Sequence, residues 1–142
     1  FAISGGSPQE RIATIQVGRR EEKILNFNAV GGNGRFYKNG VFKNICQDLG
    51  EYACYNETNR SMVAITSKNY VILLVNNSER DKELYPDNFD DVLTGIAETY
   101  SLGTIQEGML FDGGLSTAIY YNNKIYVENS NPMGSVFLIY KK

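Results

Sequence analysis

The sequence predicts an α+β domain, mostly antiparallel sheet with one principal helix. Two observations carry that prediction. Between Asn88 and Tyr100 the apolar residues recur at helical spacing, whereas elsewhere runs of strand length are separated by turn signals rich in glycine and asparagine. A chain of 142 residues fits one domain and buries about two-thirds of its unfolded surface, enough for a core.

Taken in order, Arg11–Val17 alternates polar and apolar residues and Lys23–Val30 does so in part, with Gly18-Arg19-Arg20-Glu21-Glu22 as the turn of a hairpin. Gly31-Gly32-Asn33-Gly34 reads as a loop; it lacks the Lys-Ser/Thr ending of a phosphate-binding P-loop. Arg35–Lys43 holds Asn39-Gly40, a type I′ hairpin signal because both residues tolerate positive φ. Met62–Ile65 and Tyr70–Val75 form a second hairpin across Thr66-Ser67-Lys68-Asn69. In the helix, Phe89, Val92, Leu93, Ile96 and Ala97 share one face, Asp87 or Asn88 is placed to cap it, and Gly103 stops it. Asp90 and Asp91 suit the positive end of the helix dipole; adjacent on a helix, they point apart and make a poor metal-ligand pair. Ala118–Val127 is read as two strands about Asn122-Asn123.

Composition excludes several classes of function. Histidine is absent, which removes Ser-His-Asp and Cys-His catalysis and the common histidine zinc sites. Acid-base chemistry near neutral pH then falls to carboxylates, tyrosines, lysines or a metal-bound water. Charged residues are 21% of the chain, the net charge is −2, and Lys and Arg are scattered, so no stripe tracks a nucleic-acid backbone. No apolar run approaches the roughly eighteen residues of a membrane helix. Ten tyrosines and seven phenylalanines stand with no tryptophan; Tyr120 and Tyr121 fall on opposite faces of their strand, so at most one of them looks toward a shared pocket.

Cys46 and Cys54 flank a short polar segment with Gly50 near its middle, and a local disulfide there would place the protein in an oxidising compartment; two unrelated buried thiols are the alternative. Asn56-Glu57-Thr58, Asn59-Arg60-Ser61 and Asn76-Asn77-Ser78 fit the glycosylation acceptor pattern. Together these readings point to a secreted or cell-surface protein. The chain does not begin with Met, so a signal peptide, propeptide or further domain is expected to precede Phe1.

The most informative stretch is Met109-Leu110-Phe111-Asp112-Gly113-Gly114-Leu115-Ser116-Thr117, an apolar strand ending on a carboxylate, two glycines and two hydroxyls. The glycines allow positive φ and close approach of backbone to a ligand, and the acid at the strand end is expected to face a concavity with Ser116 opening the next strand. An Asp-Gly hairpin turn is the simpler reading. In context, with an apolar strand at Val71–Val75 and the helix upstream and the Asn-Asn hairpin downstream, the order resembles the phosphodiester glycosidase family, which includes the lysosomal uncovering enzyme. The resemblance covers about Met62 to Tyr140 and thins over Phe1–Tyr55, where Ala2-Ile3-Ser4-Gly5-Gly6 is its main trace.

That resemblance implies one domain over residues 1–142, completed by an N-terminal segment or a second chain, that hydrolyses a sugar-1-phosphodiester or related glycan phosphate. Asp112 and Glu79 would be the two carboxylates; Arg60, Gly113, Gly114, Ser116 and Thr117 would hold the substrate, with Arg80 a second choice for the phosphate cation. It implies a carbohydrate or sugar-phosphate ligand and names no metal site and no cofactor. The chain departs from the family's pattern at Leu115, where a third glycine stands, at Met62, where an arginine stands, at Asn76-Asn77 in place of Asp-Gly, and at Asn131-Pro132-Met133-Gly134 in place of an Arg-Pro element. These departures leave open a non-catalytic module of the same fold that binds a glycan or a protein, or serves in a cell-envelope or viral assembly.

Overall fold

The computed structural model describes residues 1–5, 7–15, 26–78, 84–128, 130–132 and 138–139. It is an α+β fold in which every strand pairing is antiparallel. The central sheet has five strands in the order β5-β4-β8-β6-β7, built from β4 (Gly34–Lys38), β5 (Val41–Phe42), β6 (Arg60–Thr66), β7 (Val71–Asn76) and β8 (Ile105–Leu110). A three-stranded sheet, β2-β1-β3, uses Ile12–Thr14, Ala2–Ser4 and Asn26–Ala29, and a separate hairpin pairs β9 (Ile119–Tyr121) with β10 (Lys124–Val127).

The alternation along β6 divides the core. Met62 and Ala64 point to a cluster with Phe36, Leu110, Phe89, Leu93 and Ala97, whereas Val63 and Ile65 join Phe1, Ile15 and Met109 on the opposite face. The principal helix, α3 (Phe89–Thr99), thus covers one face and the N-terminal strands the other. Gly108 lies under the ring of Phe36: a Cβ there would sit 2.5 Å from Phe36 Cε2. A side chain smaller than any other is what lets β8 lie this close to an aromatic that is wholly buried.

Turn chemistry follows the sequence closely at three places. Asn39 and Gly40 both have positive φ, as do Asn122 and Asn123, and Asn69 closes the β6–β7 hairpin at φ 62°. The helix terminates differently from its sequence signal. Ser101 takes φ 54°, with its N–H donating to Glu98 O and that of Leu102 to Ala97 O, a Schellman closure two residues before Gly103. Gly103 instead turns the chain into β8. At the other end, Asn88 occupies the N-cap position without a side-chain bond, because a Pro86–Asn88 3-10 turn leads into the helix and Asp87 accepts from Asn44.

Two expectations change. The hairpin of Arg11–Val17 with Lys23–Val30 is absent as such: β1 lies between β2 and β3, pairing Ile3 with Ala13 on one side and Asn28 on the other, and its expected turn, Gly18–Glu22, lies outside the described residues. Alternation marks strands but not their partners. The segment between the cysteines is helical: α1 (Cys46–Leu49) and α2 (Glu51–Tyr55) meet at Gly50, φ 80°, and Cys46 and Cys54 are disulfide-bonded with Cα atoms 5.0 Å apart.

Reducing that bond opens a loop of about nine residues, costing about 2.5 kcal/mol by chain entropy. The melting temperature should fall by roughly 5–10 °C in a reducing buffer, read by calorimetry with and without reductant. A second outcome concerns Tyr37, buried with its hydroxyl donating to Asp90. Burial first, and the Asp90 carboxylate second, push its pKa from 10 up to about 12. The folded state therefore holds this proton more tightly than the unfolded chain. Its contribution is complete below pH 10 and is lost as pH rises through about 12. Melting temperatures of Tyr37→Phe against pH should lack that alkaline step.

Candidate functional site

Where β8 ends and β6 begins, the chain forms a groove of about 250 Å³. In the antiparallel register of these strands Met62 faces Leu110 and Val63 faces Met109. Carried two residues further, the same register sets Asp112 opposite Arg60, and the Phe111 N–H does donate to Ser61 O at 2.8 Å. Two residues far apart in sequence thus line one groove through strand pairing alone.

The glycines make the continuation possible. Gly114 donates its N–H to Asn59 O at 2.7 Å and has φ 59°, a left-handed conformation that side chains resist. Gly113 has φ −124°, so its role is room and not conformation: a Cβ there would meet the same Asn59 oxygen at 2.9 Å. Asp112 is exposed, and its Oδ1 accepts the N–H of Gly113 at 3.0 Å, closing the turn on itself while its carboxylate stays open to solvent.

Arg60 behaves in the opposite way. Only 4% of it is exposed; Nε donates to Leu84 O at 2.6 Å, the guanidinium lies 5.9 Å from the Phe89 ring centre, and Nη2 is buried with no partner among the described residues. Burial lowers its pKa, against an opposing contribution from Tyr85. An arginine stays charged despite this. Its charge is held beneath α3, on the side of β6 that Met62 shares, and its backbone N–H donates to Asn76 Oδ1 at 2.7 Å.

The second wall comes from the disulfide-bridged helices through Leu49, Tyr52 and Ala53. Leu49 packs against the core cluster, whereas Tyr52 is 78% exposed at the groove's edge. No sequence signal marks Tyr52, because Leu49 ends α1 and Tyr52 and Ala53 belong to α2 beyond the break at Gly50, and segments this short show no period. Asn33, Thr58 and Asn59 add polar groups.

Of the residues singled out from the sequence, Arg60, Asp112, Gly113 and Gly114 line the groove. Ser116 and Thr117 do not. Ser116 belongs to a 3-10 turn, Gly114–Ser116, and does not open a strand, since β9 starts only at Ile119; Thr117 is wholly buried, its hydroxyl without a partner among the described residues. Gly114, at positive φ, opens that turn, and the Thr117 N–H closes it on Gly114 O before the chain extends. Glu79 and Arg80 lie outside the described residues. Among the described residues no group of three or more Cys, Asp or Glu could hold a metal, and no helix is long and apolar enough to cross a membrane.

No protein-family model, no curated protein and no solved structure matches this chain.

Substituting Gly113→Ala forces a methyl group against the Asn59 carbonyl, which is backbone and cannot swing aside. A loss of about 1–3 kcal/mol in urea unfolding is expected, as for other overpacked sites. Gly95→Ala, in open space on α3, should by comparison leave stability equal or higher.

Proposed function

We propose that this chain binds a carbohydrate in the groove between β6, β8 and the α1–α2 wall, as a non-catalytic module. The observation that carries the reading is an exposed aromatic ring, Tyr52, and an exposed carboxylate, Asp112, lining the same groove. A sugar ring offers an apolar C–H face to an aromatic and hydroxyls to an acceptor, and these two side chains supply both contacts. The disulfide supports an extracellular or cell-surface setting, where such ligands abound.

The groove's electrostatics favour a neutral sugar over a sugar phosphate. Asp112 presents negative charge to solvent, while the one cation among the described lining residues, Arg60, is buried and spends its Nε on Leu84 O. A phosphate here would meet the Asp112 carboxylate, whereas the hydroxyls of a neutral sugar can donate to it.

Hydrolysis of a sugar-1-phosphodiester is the second reading, favoured by the Asp-Gly-Gly turn at the strand end. Glycoside hydrolysis ordinarily requires two carboxylates. Among the described residues that line the groove Asp112 is the one acid, so a catalytic role would need Glu79 or another group to join it.

Titration with methyl α-N-acetylglucosaminide and with N,N′-diacetylchitobiose, followed by amide chemical shifts, tests both readings. Shifts should centre on Tyr52, Asn59 and Gly113. Tyr52→Ala and Asp112→Asn should each weaken binding by roughly 1–3 kcal/mol with the fold unchanged. Shifts elsewhere, or affinity indifferent to both substitutions, would overturn the site. Release of sugar from an aryl-phosphodiester glycoside by the wild type, lost in Asp112→Asn, would replace binding with hydrolysis.

A further inference from the structure

We infer that Asn56 is the N-glycan acceptor of this protein, and that the other two Asn-x-Ser/Thr sequences are structural. The three motifs begin at Asn56, Asn59 and Asn76 and end on Thr58, Ser61 and Ser78, so each satisfies the acceptor pattern and sequence alone does not choose among them. Their environments in the fold separate them sharply.

Asn59 and Asn76 form a clasp that joins the start of β6 to the end of β7. The Oδ1 of Asn59 accepts both the N–H of Ser78 at 2.8 Å and its hydroxyl at 3.0 Å. The Oδ1 of Asn76 accepts the N–H of Arg60 at 2.7 Å, and its Nδ2 points back to Thr58 O at 3.5 Å. Both side chains are half-buried, and Asn59 also lines the groove. A sugar on Asn76 would have to leave from the nitrogen that faces Thr58 O, and one on Asn59 would have to find room on a half-buried side chain whose oxygen holds Ser78 in place.

Asn56 has neither restriction. It is exposed, follows the last turn of α2 in extended backbone at φ −92° and ψ 146°, and its only described side-chain bond is from Nδ2 to Tyr52 O at 3.1 Å. An amide nitrogen carries two protons. In glycan transfer from a lipid-diphosphate-linked oligosaccharide, the sugar C1–O bond breaks and the lipid diphosphate leaves with its electron pair. The C1–Nδ2 bond forms and the nitrogen loses one proton. The remaining proton still serves the bond to Tyr52 O. The neighbouring disulfide requires the same kind of compartment in which that transfer takes place. This inference stands apart from any role of the groove.

The experiment is expression of the full chain behind a signal peptide in a eukaryotic secretory host, with intact mass before and after peptide N-glycosidase F. One glycan is expected, converting residue 56 to Asp on release, and it should vanish in Asn56→Gln and in Thr58→Val. Thr58→Ser, which keeps the hydroxyl, should retain it. Secreted Asn59→Gln and Asn76→Gln should keep the glycan at Asn56; should either fail to fold, the site of the single glycan is read directly from the wild type by peptide mapping. Secreted wild type without a glycan, or with one at residue 59 or 76, would overturn the assignment.

Discussion

The pairing of β6 with β8 is the constraint on which the rest of the structure depends. β6 has neighbours on both edges, and Val63 and Ala64 are both fully buried, one on each face, so the strand cannot slip by one residue without exchanging its two cores. The same register brings Leu110 beneath α3 and, beyond the strand proper, lays Asp112 and Gly113 against Arg60 and Asn59. The site is therefore a by-product of sheet pairing. Its turn owes its position to the ladder, and its glycines keep the ladder going past the point where side chains would have ended it.

Arg60 shows how such a register can spend a charge on structure. A guanidinium in the core costs desolvation, and here it recovers part of that through the Leu84 carbonyl and the face of Phe89. It thereby fixes the segment that leads into α3 to the first residue of β6. With the cation committed inward, the groove's outward charge is left to Asp112 alone among the described lining residues.

How far the sequence was legible follows from the range of each signal. Local signals were read correctly: the stripe from Phe89 to Ala97, and the Asn-Gly and Asn-Asn turns, each of which is complete within a dozen residues. The disulfide was legible from spacing, but the two helices it bridges were not, because segments of four and five residues broken at Gly50 are too short to show a period. Nor could the sequence show that β1 separates β2 from β3, a choice made by long-range pairing. An arginine at a strand start reads as surface, so the burial of Arg60 required the fold. Ser116 and Thr117 looked available because hydroxyls beside glycines often are; the 3-10 turn that opens at Gly114 holds Ser116 off the groove, and Thr117, which follows it, is wholly buried.

The α1–α2 wall ties the site to the redox state of the chain. Helices of one turn have no stability of their own, since nucleation costs more than so few hydrogen bonds return. Two attachments hold them here: Ile45 and Leu49 in the core cluster, and the bond from Cys46 to Cys54, whose buried end lies one residue from Ala53 on the groove. Tyr52, largely exposed, has little packing of its own to fix it. Its place opposite the Asp112 turn is inherited from the covalent bond beneath it. The groove is thus bounded by one wall set by β-sheet register and one held jointly by core packing and a disulfide.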